Sequence, residues 1–214
     1  MCNGQSLTTS SPAPHVCGCG GHGPSESRRQ VDSSWEMEMP AVTFPSSRVL
    51  AVAGETRLRE LVRRHHALLL ETPAASLFPG DPAVFAQVVE KVADFIVEAC
   101  GGESGYTQAH GNVCMRTRHF PFTIDETARE IWLAALYQAM QEVAFPEELR
   151  QEYWDWLEPF SVRMINRRTM RTQPLRLSYA EAAARFAVPV VASEAAPDAG
   201  NGCGCGQGRL CRRA

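Results

Sequence analysis

The sequence predicts an all-α core flanked by two long, largely disordered tails. Three observations lead there. Between about residue 56 and residue 164 the apolar side chains recur at three- and four-residue steps, the spacing of one helix face. No stretch alternates convincingly with period two, so a sheet has little support. Most of the glycines and six of the eight cysteines crowd into the two ends of the 214-residue chain. The expected organisation is therefore a Gly/Ser/Pro/Cys-rich tail over residues 1–47, a helical domain over 48–170, and a C-terminal extension over 171–214.

Thr56 is a fair N-cap for the first helix, whose stripe is Leu58, Leu61, Val62, His65, Leu68 and Leu69; Pro73 ends it. Asp81-Pro82 opens the second with an N-cap and a proline at the first position. Phe85, Val88, Val89, Val92, Phe95 and Ile96 form its apolar face, and Gly101-Gly102 stops it. Asp125 caps a third helix carrying Ile131, Trp132, Ala135, Leu136, Ala139, Met140 and Val143. Pro146 starts a fourth, with Leu149, Tyr153, Trp156, Leu157, Phe160 and Met164, which Pro159 is expected to bend. Tyr153, Trp154 and Trp156 are expected to be exposed there and could support a dimer; monomer and homodimer both stay open. In the extension, Ser178 could cap a short helix. The segment from Gly105 to Ile124 reads as a polar, basic and then aromatic connection, long enough to line a functional site.

Composition narrows the function classes. Twenty-one basic against 24 acidic residues leave a formal charge of −3, so neither nucleic acid nor an anionic membrane surface is an expected partner. No apolar run approaches the roughly 18 residues of a membrane-spanning helix. Met1 to Gln5 carries no positive charge and leads into no apolar stretch, so the reading is a cytoplasmic protein without a secretory signal.

The run Gly101-Gly102, Tyr106, His110-Gly111, Arg116-Thr117-Arg118-His119-Phe120-Pro121-Phe122 and Ile124, followed by Trp132, resembles the truncated (two-over-two) haemoglobins, most of all group II. The resemblance extends from about Thr56 to Arg168 and implies a two-over-two helical sandwich holding haem b without covalent attachment, since no Cys-x-x-Cys-His occurs. It implies His119 as the proximal iron ligand, Arg116 and Arg118 as partners of the haem propionates, and Phe122 beside the cofactor. Trp132 matches an indole that can donate to a haem-bound ligand, or else it is a core residue. Phe78 matches an aromatic packed on the haem, and Val88 and Val92 match the distal pocket positions.

His66 stands where the family normally carries a tyrosine, a departure that leaves two outcomes: a hydrogen-bond donor to the ligand, or a second iron ligand. His65 and His66 could also form a solvated face after Arg63-Arg64. Because adjacent helical residues point about 100° apart, at most one is expected in the pocket.

The tails carry softer donors. Cys17 and Cys19, with His15 and His22, could bind Cu(I) or Zn(II); so could Cys203 and Cys205, with Cys211. Reduced, flexible tails are the alternative. Cys100 and Cys114 are expected to pack as small apolar residues. The functional expectation is reversible binding of O2, NO or CO. The alternatives are a haem enzyme removing NO or peroxide with a separate reductase, or a bis-histidine redox or sensor globin with metal-binding tails.

Overall fold

A computed structural model describes residues 36–187. Among them lie seven α-helices and no strand: α1 (Arg48–Leu70), α2 (Pro82–Ala99), α3 (Gly105–His110), α4 (Met115–His119), α5 (Glu126–Glu142), α6 (Glu147–Met164) and α7 (Tyr179–Phe186). A short 3₁₀ turn, Pro73–Leu77, joins α1 to α2. α1 packs on both α2 and α5, α5 packs on α6, α3 lies on α2, and α4 lies on α6. The core is built largely from the predicted stripes: Leu58, Leu61, Leu69, Leu136, Met140 and Leu149 are essentially inaccessible, and Leu133, outside the stripe expected for α5, joins them.

The caps follow the sequence. Asp81 accepts from the amides of Ala83 and Val84, and Asp125 from that of Ala128. Ser178 and Glu181 close a reciprocal capping box on α7.

Four expectations change. α1 begins at Arg48, not Thr56, because a turn of helix precedes Gly54 and joins the main helix across it. Gly54 sits at φ 75° and ψ 155°, a region open almost only to glycine. Residues 36–47, assigned to the tail, lie against α6 and the C-terminal segment: Ser46 N–H donates to Glu152, and Arg163 to the Pro40 carbonyl. The Gly105–Ile124 connection contains α3 and α4, single-turn helices too short to show an apolar stripe. The aromatic residues of α6 are not exposed. Tyr153, Trp154 and Trp156 are at most 1% accessible: the Trp154 indole donates to the Leu177 carbonyl at 2.7 Å under the C-terminal segment, while Tyr153 packs on Phe145 and Trp156 on Phe44 and Phe95. α6 itself continues through Pro159 to Met164.

Cys17, Cys19, Cys203 and Cys205, with His15, His22 and Cys211, lie outside the described residues. Among the described ones no group of three or more His, Cys, Asp or Glu is placed to hold a metal ion. No described helix is long and apolar enough to cross a membrane.

Candidate functional site

Gly111, at φ 71°, ends α3 and turns the chain into α4. The Asn112 side chain then accepts from the Cys114 amide at 2.9 Å. At the far end of this single turn, the His119 Nδ1 lies 2.7 Å from the Met115 carbonyl. A carbonyl only accepts, so Nδ1 carries the proton and Nε2 keeps a lone pair. The ring is half-buried, with Phe122 edge-on at 6.4 Å. Phe120 and Phe122 are 56% and 44% exposed, unusual for phenylalanine beside a built site.

The arginines beside His119 are engaged with backbone. Arg116 donates to the carbonyls of Arg163 (2.5 Å) and Ile165 (3.4 Å) at the end of α6. Arg118 donates to those of His110 and Asn112. A guanidinium carries five N–H donors, so these bonds do not preclude the propionate role that the resemblance implies.

On α1 both histidines are buried, at 4% and 6% accessibility, so the solvated-face reading fails. The reason is that α1 is covered on two sides. His66 turns toward the 3₁₀ turn and α2, meeting Phe78 edge-on at 5.8 Å, which in turn meets Phe85 at 5.7 Å. His65 turns toward α5, meeting the Trp132 ring at 4.7 Å and donating through Nε2 to the Trp132 carbonyl at 3.1 Å. Burial depresses both imidazole pKa values below 6.5, His65 further because His66 lies beside it. Both rings are neutral at pH 7. The His66 Nδ1 donates to the Val62 carbonyl at 2.8 Å, so its Nε2 also keeps a lone pair.

Phe85, Val88 and Val92 recur at i, i+3 and i+7 along α2, and all three are only half-buried, as are Phe78 and Trp132. Their neighbours Val89, Phe95 and Ile96 are fully packed. One apolar face of α2 thus retains surface that protein alone does not cover. α4 offers one imidazole lone pair at His119, and α1 another at His66 beside the incompletely covered Phe78 and Phe85. That set suits a flat, mostly apolar group carrying a borderline metal. Two clefts, of about 230 and 340 Å³, lie elsewhere, along α6 and the C-terminal segment, and hold polar residues such as Glu158 and Arg176.

Sequence reasoning singled out His119, His66, Phe78, Val88, Val92 and Trp132. It placed His65 only in a helix stripe and left Asn166 unnoticed. His65 shows a usable signal, a polar residue at a core position of an apolar stripe; Asn166 shows none, because its partners are backbone groups far away in sequence.

Residues 50–166 match the family model described as bacterial-like globin. The group 2 truncated haemoglobin YjbI of Bacillus subtilis is 30% identical over 114 residues, 53% of this chain and 84% of that protein. Among solved structures, phosphate-bound Hell's gate globin IV is 43% identical with a TM-score of 0.68, over 77% of this chain and 99% of its own. The truncated oxygen-avid haemoglobin from Bacillus subtilis is 28% identical with a TM-score of 0.52, over 55% and 98%.

Proposed function

We propose, from the premise that this chain belongs to the bacterial-like globin family and is a truncated haemoglobin most like group II, that it holds haem b through His119 and reversibly binds a diatomic ligand. Haem, when bound, would supply an iron centre able to bind a small ligand reversibly, with His119 as the residue that would hold it. The observation that carries the reading is the His119 ring: its Nδ1–H is fixed on the Met115 carbonyl, which sets the tautomer and leaves Nε2 as the donor to a metal. The incompletely covered Phe78, Val88, Val92 and Phe122 would bury against the cofactor, each 100 Å² removed from water contributing about 2.5 kcal/mol.

The remaining polar groups divide by what their protons already do. The His65 Nε2–H is held by the Trp132 carbonyl and the His66 Nδ1–H by the Val62 carbonyl. That leaves the Trp132 indole as the donor for a ligand in the pocket, while His66 presents a lone pair. This observation favours a second reading for His66: its Nε2 would serve as a second protein donor to the iron, and the ring would not act as a hydrogen-bond donor.

Absorption spectra of the haem-reconstituted protein, ferric and dithionite-reduced, test both readings. His119→Ala is expected to lose the proximal ligand. His66→Leu is expected to turn a six-coordinate, low-spin reduced form into a five-coordinate, high-spin one. Trp132→Phe should speed ligand dissociation about tenfold, the worth of one pocket hydrogen bond. Failure to take up stoichiometric haem, or ligation unaltered in His119→Ala, overturns the main reading. A native reduced form that is already five-coordinate overturns the second alone.

A further inference from the structure

α4 is too short to hold His119 by itself. Five residues make barely more than one turn, and the amides of Arg118 and Phe120 reach their acceptors only at 3.3 Å. The grip comes from Asn166, just beyond α6. Its Nδ2 donates to the His119 carbonyl at 2.9 Å and to the Phe122 carbonyl at 2.6 Å, while its Oδ1 accepts from the Ile124 amide at 3.0 Å. The opposite amide orientation would set oxygen against two carbonyl oxygens, so the assignment is unambiguous. The Asn166 and Arg167 amides both donate to the Ile124 carbonyl at 3.0 Å. Arg116 reaches from α4 to the last carbonyls of α6, so the tie runs in both directions.

We propose that Asn166 is the positioning residue of the proximal histidine: its side-chain amide fixes the His119 backbone to the end of α6, and so sets the height and tilt of the imidazole toward the cofactor. The inference rests on the reading of His119 as the iron ligand. The His119 carbonyl also accepts from the Phe122 amide at 3.1 Å, a bond local to the turn, whereas Asn166 ties it to α6. Asn166 touches neither cofactor nor ligand; it acts through the backbone of residues 119–124.

The test uses the full-length, haem-loaded protein. The iron–histidine stretching band is recorded by resonance Raman after photolysis of the CO complex, which gives a five-coordinate reduced state whatever His66 does. Haem loss to a scavenging apoglobin is timed alongside. Asn166→Asp keeps the volume and the acceptor but sets a carboxylate against two carbonyls; Asn166→Ala removes both functions. Each should shift and broaden the band and speed haem loss about tenfold. Arg168→Met, which loosens the neighbouring C-terminal segment without touching residues 119–124, should leave the band in place. An unmoved band in Asn166→Asp, with the band lost in His119→Ala, overturns this inference alone. An equal shift in Arg168→Met does so as well, since general loosening would then suffice. A band that survives in His119→Ala overturns the proximal reading and this inference with it.

Discussion

His65 and His66 are neighbours in sequence, their rings 5.3 Å apart, yet they serve different elements, one bonded to α5 and the other to its own helix. Neither has a carboxylate partner, and a buried imidazolium without one is costly, so both titrate below 6.5. In the unfolded chain each regains an ordinary value near 6.5, and below that pH the unfolded state binds more protons than the native one. The stability from keeping these rings neutral is therefore complete above pH 6.5 and declines as pH falls toward the depressed native values. His65→Phe, which preserves the contact with Trp132, should flatten this acid-side decline in urea midpoints measured on either side of pH 6.5; an unchanged slope would assign the decline to the carboxylates. The run from Gly101 to Trp132 singles out His119 and Trp132 in the sequence, and the alignment of Leu61 to His66 singles out His66. The burial of His65 is signalled by its place in the apolar stripe of α1; its bond to the Trp132 carbonyl is not, since that depends on α5 arriving from 67 residues away.

Among the elements, the four long helices were legible, as was the short α7 through its Ser178 cap, while α3, α4 and the turn before Gly54 were not. α1, α2, α5 and α6 are stabilised by apolar stripes that the sequence displays, whereas α3 and α4 are too short to show one and are held by bonds from outside their own turns, such as those between Glu98 and Thr107 and between Asn166 and His119. The junction of α2 with α3 shows how local signals can still govern such a region. Gly101-Gly102 was legible as a stop, and the structure shows what it permits. Gly101 has φ 95°, and a Cβ there would stand 2.8 Å from the Ser47 Cβ and 3.1 Å from its Cα. Relief would require moving the backbone that leads into α1. Gly101→Ala should therefore cost about 2–3 kcal/mol, strain and overlap combined. Gly105, with no positive φ and open space around it, makes the control: Gly105→Ala should be neutral or stabilise by up to about 1 kcal/mol. Equal losses at the two positions in thermal unfolding would remove the close approach to Ser47 as the cause.

At the scale of the whole molecule, the C-terminal extension is fastened to the helical core by two buried carboxylates. Glu126, at the start of α5, accepts from Arg168 (2.6 Å) and from both the amide (3.0 Å) and hydroxyl (2.6 Å) of Thr169. Glu158, midway along α6, accepts from Arg129 at 2.5 Å, from Arg176 at 2.7 Å and from the Leu177 amide at 3.3 Å. Neither carboxylate is visible to periodicity arguments, because each is a lone charge on a face that otherwise reads as core. Their energetics separate them. Glu158→Gln leaves the Arg129 guanidinium buried without its counter-charge and should cost about 3–5 kcal/mol at any pH above the carboxylate range. For Glu126, burial alone would raise the pKa, but the Thr169 hydroxyl and amide, its own backbone N–H and Arg168 together hold it down to about 2. Its contribution is present above the unfolded value near 4.5 and is lost as pH falls toward 2, on the order of 2–3 kcal/mol in all. Because Arg168 and Thr169 follow directly on Asn166, loss of this anchor should be felt first in the extension. Hydrogen exchange across residues 168–186 should rise as the pH is lowered below 4.5, while the buried core of α5 stays protected. Glu126→Gln should show the same loosened exchange at neutral pH and no further change on acidification. Exchange that rises equally in core and extension would mean that the extension is an integral part of one cooperative unit and not a separately released strap.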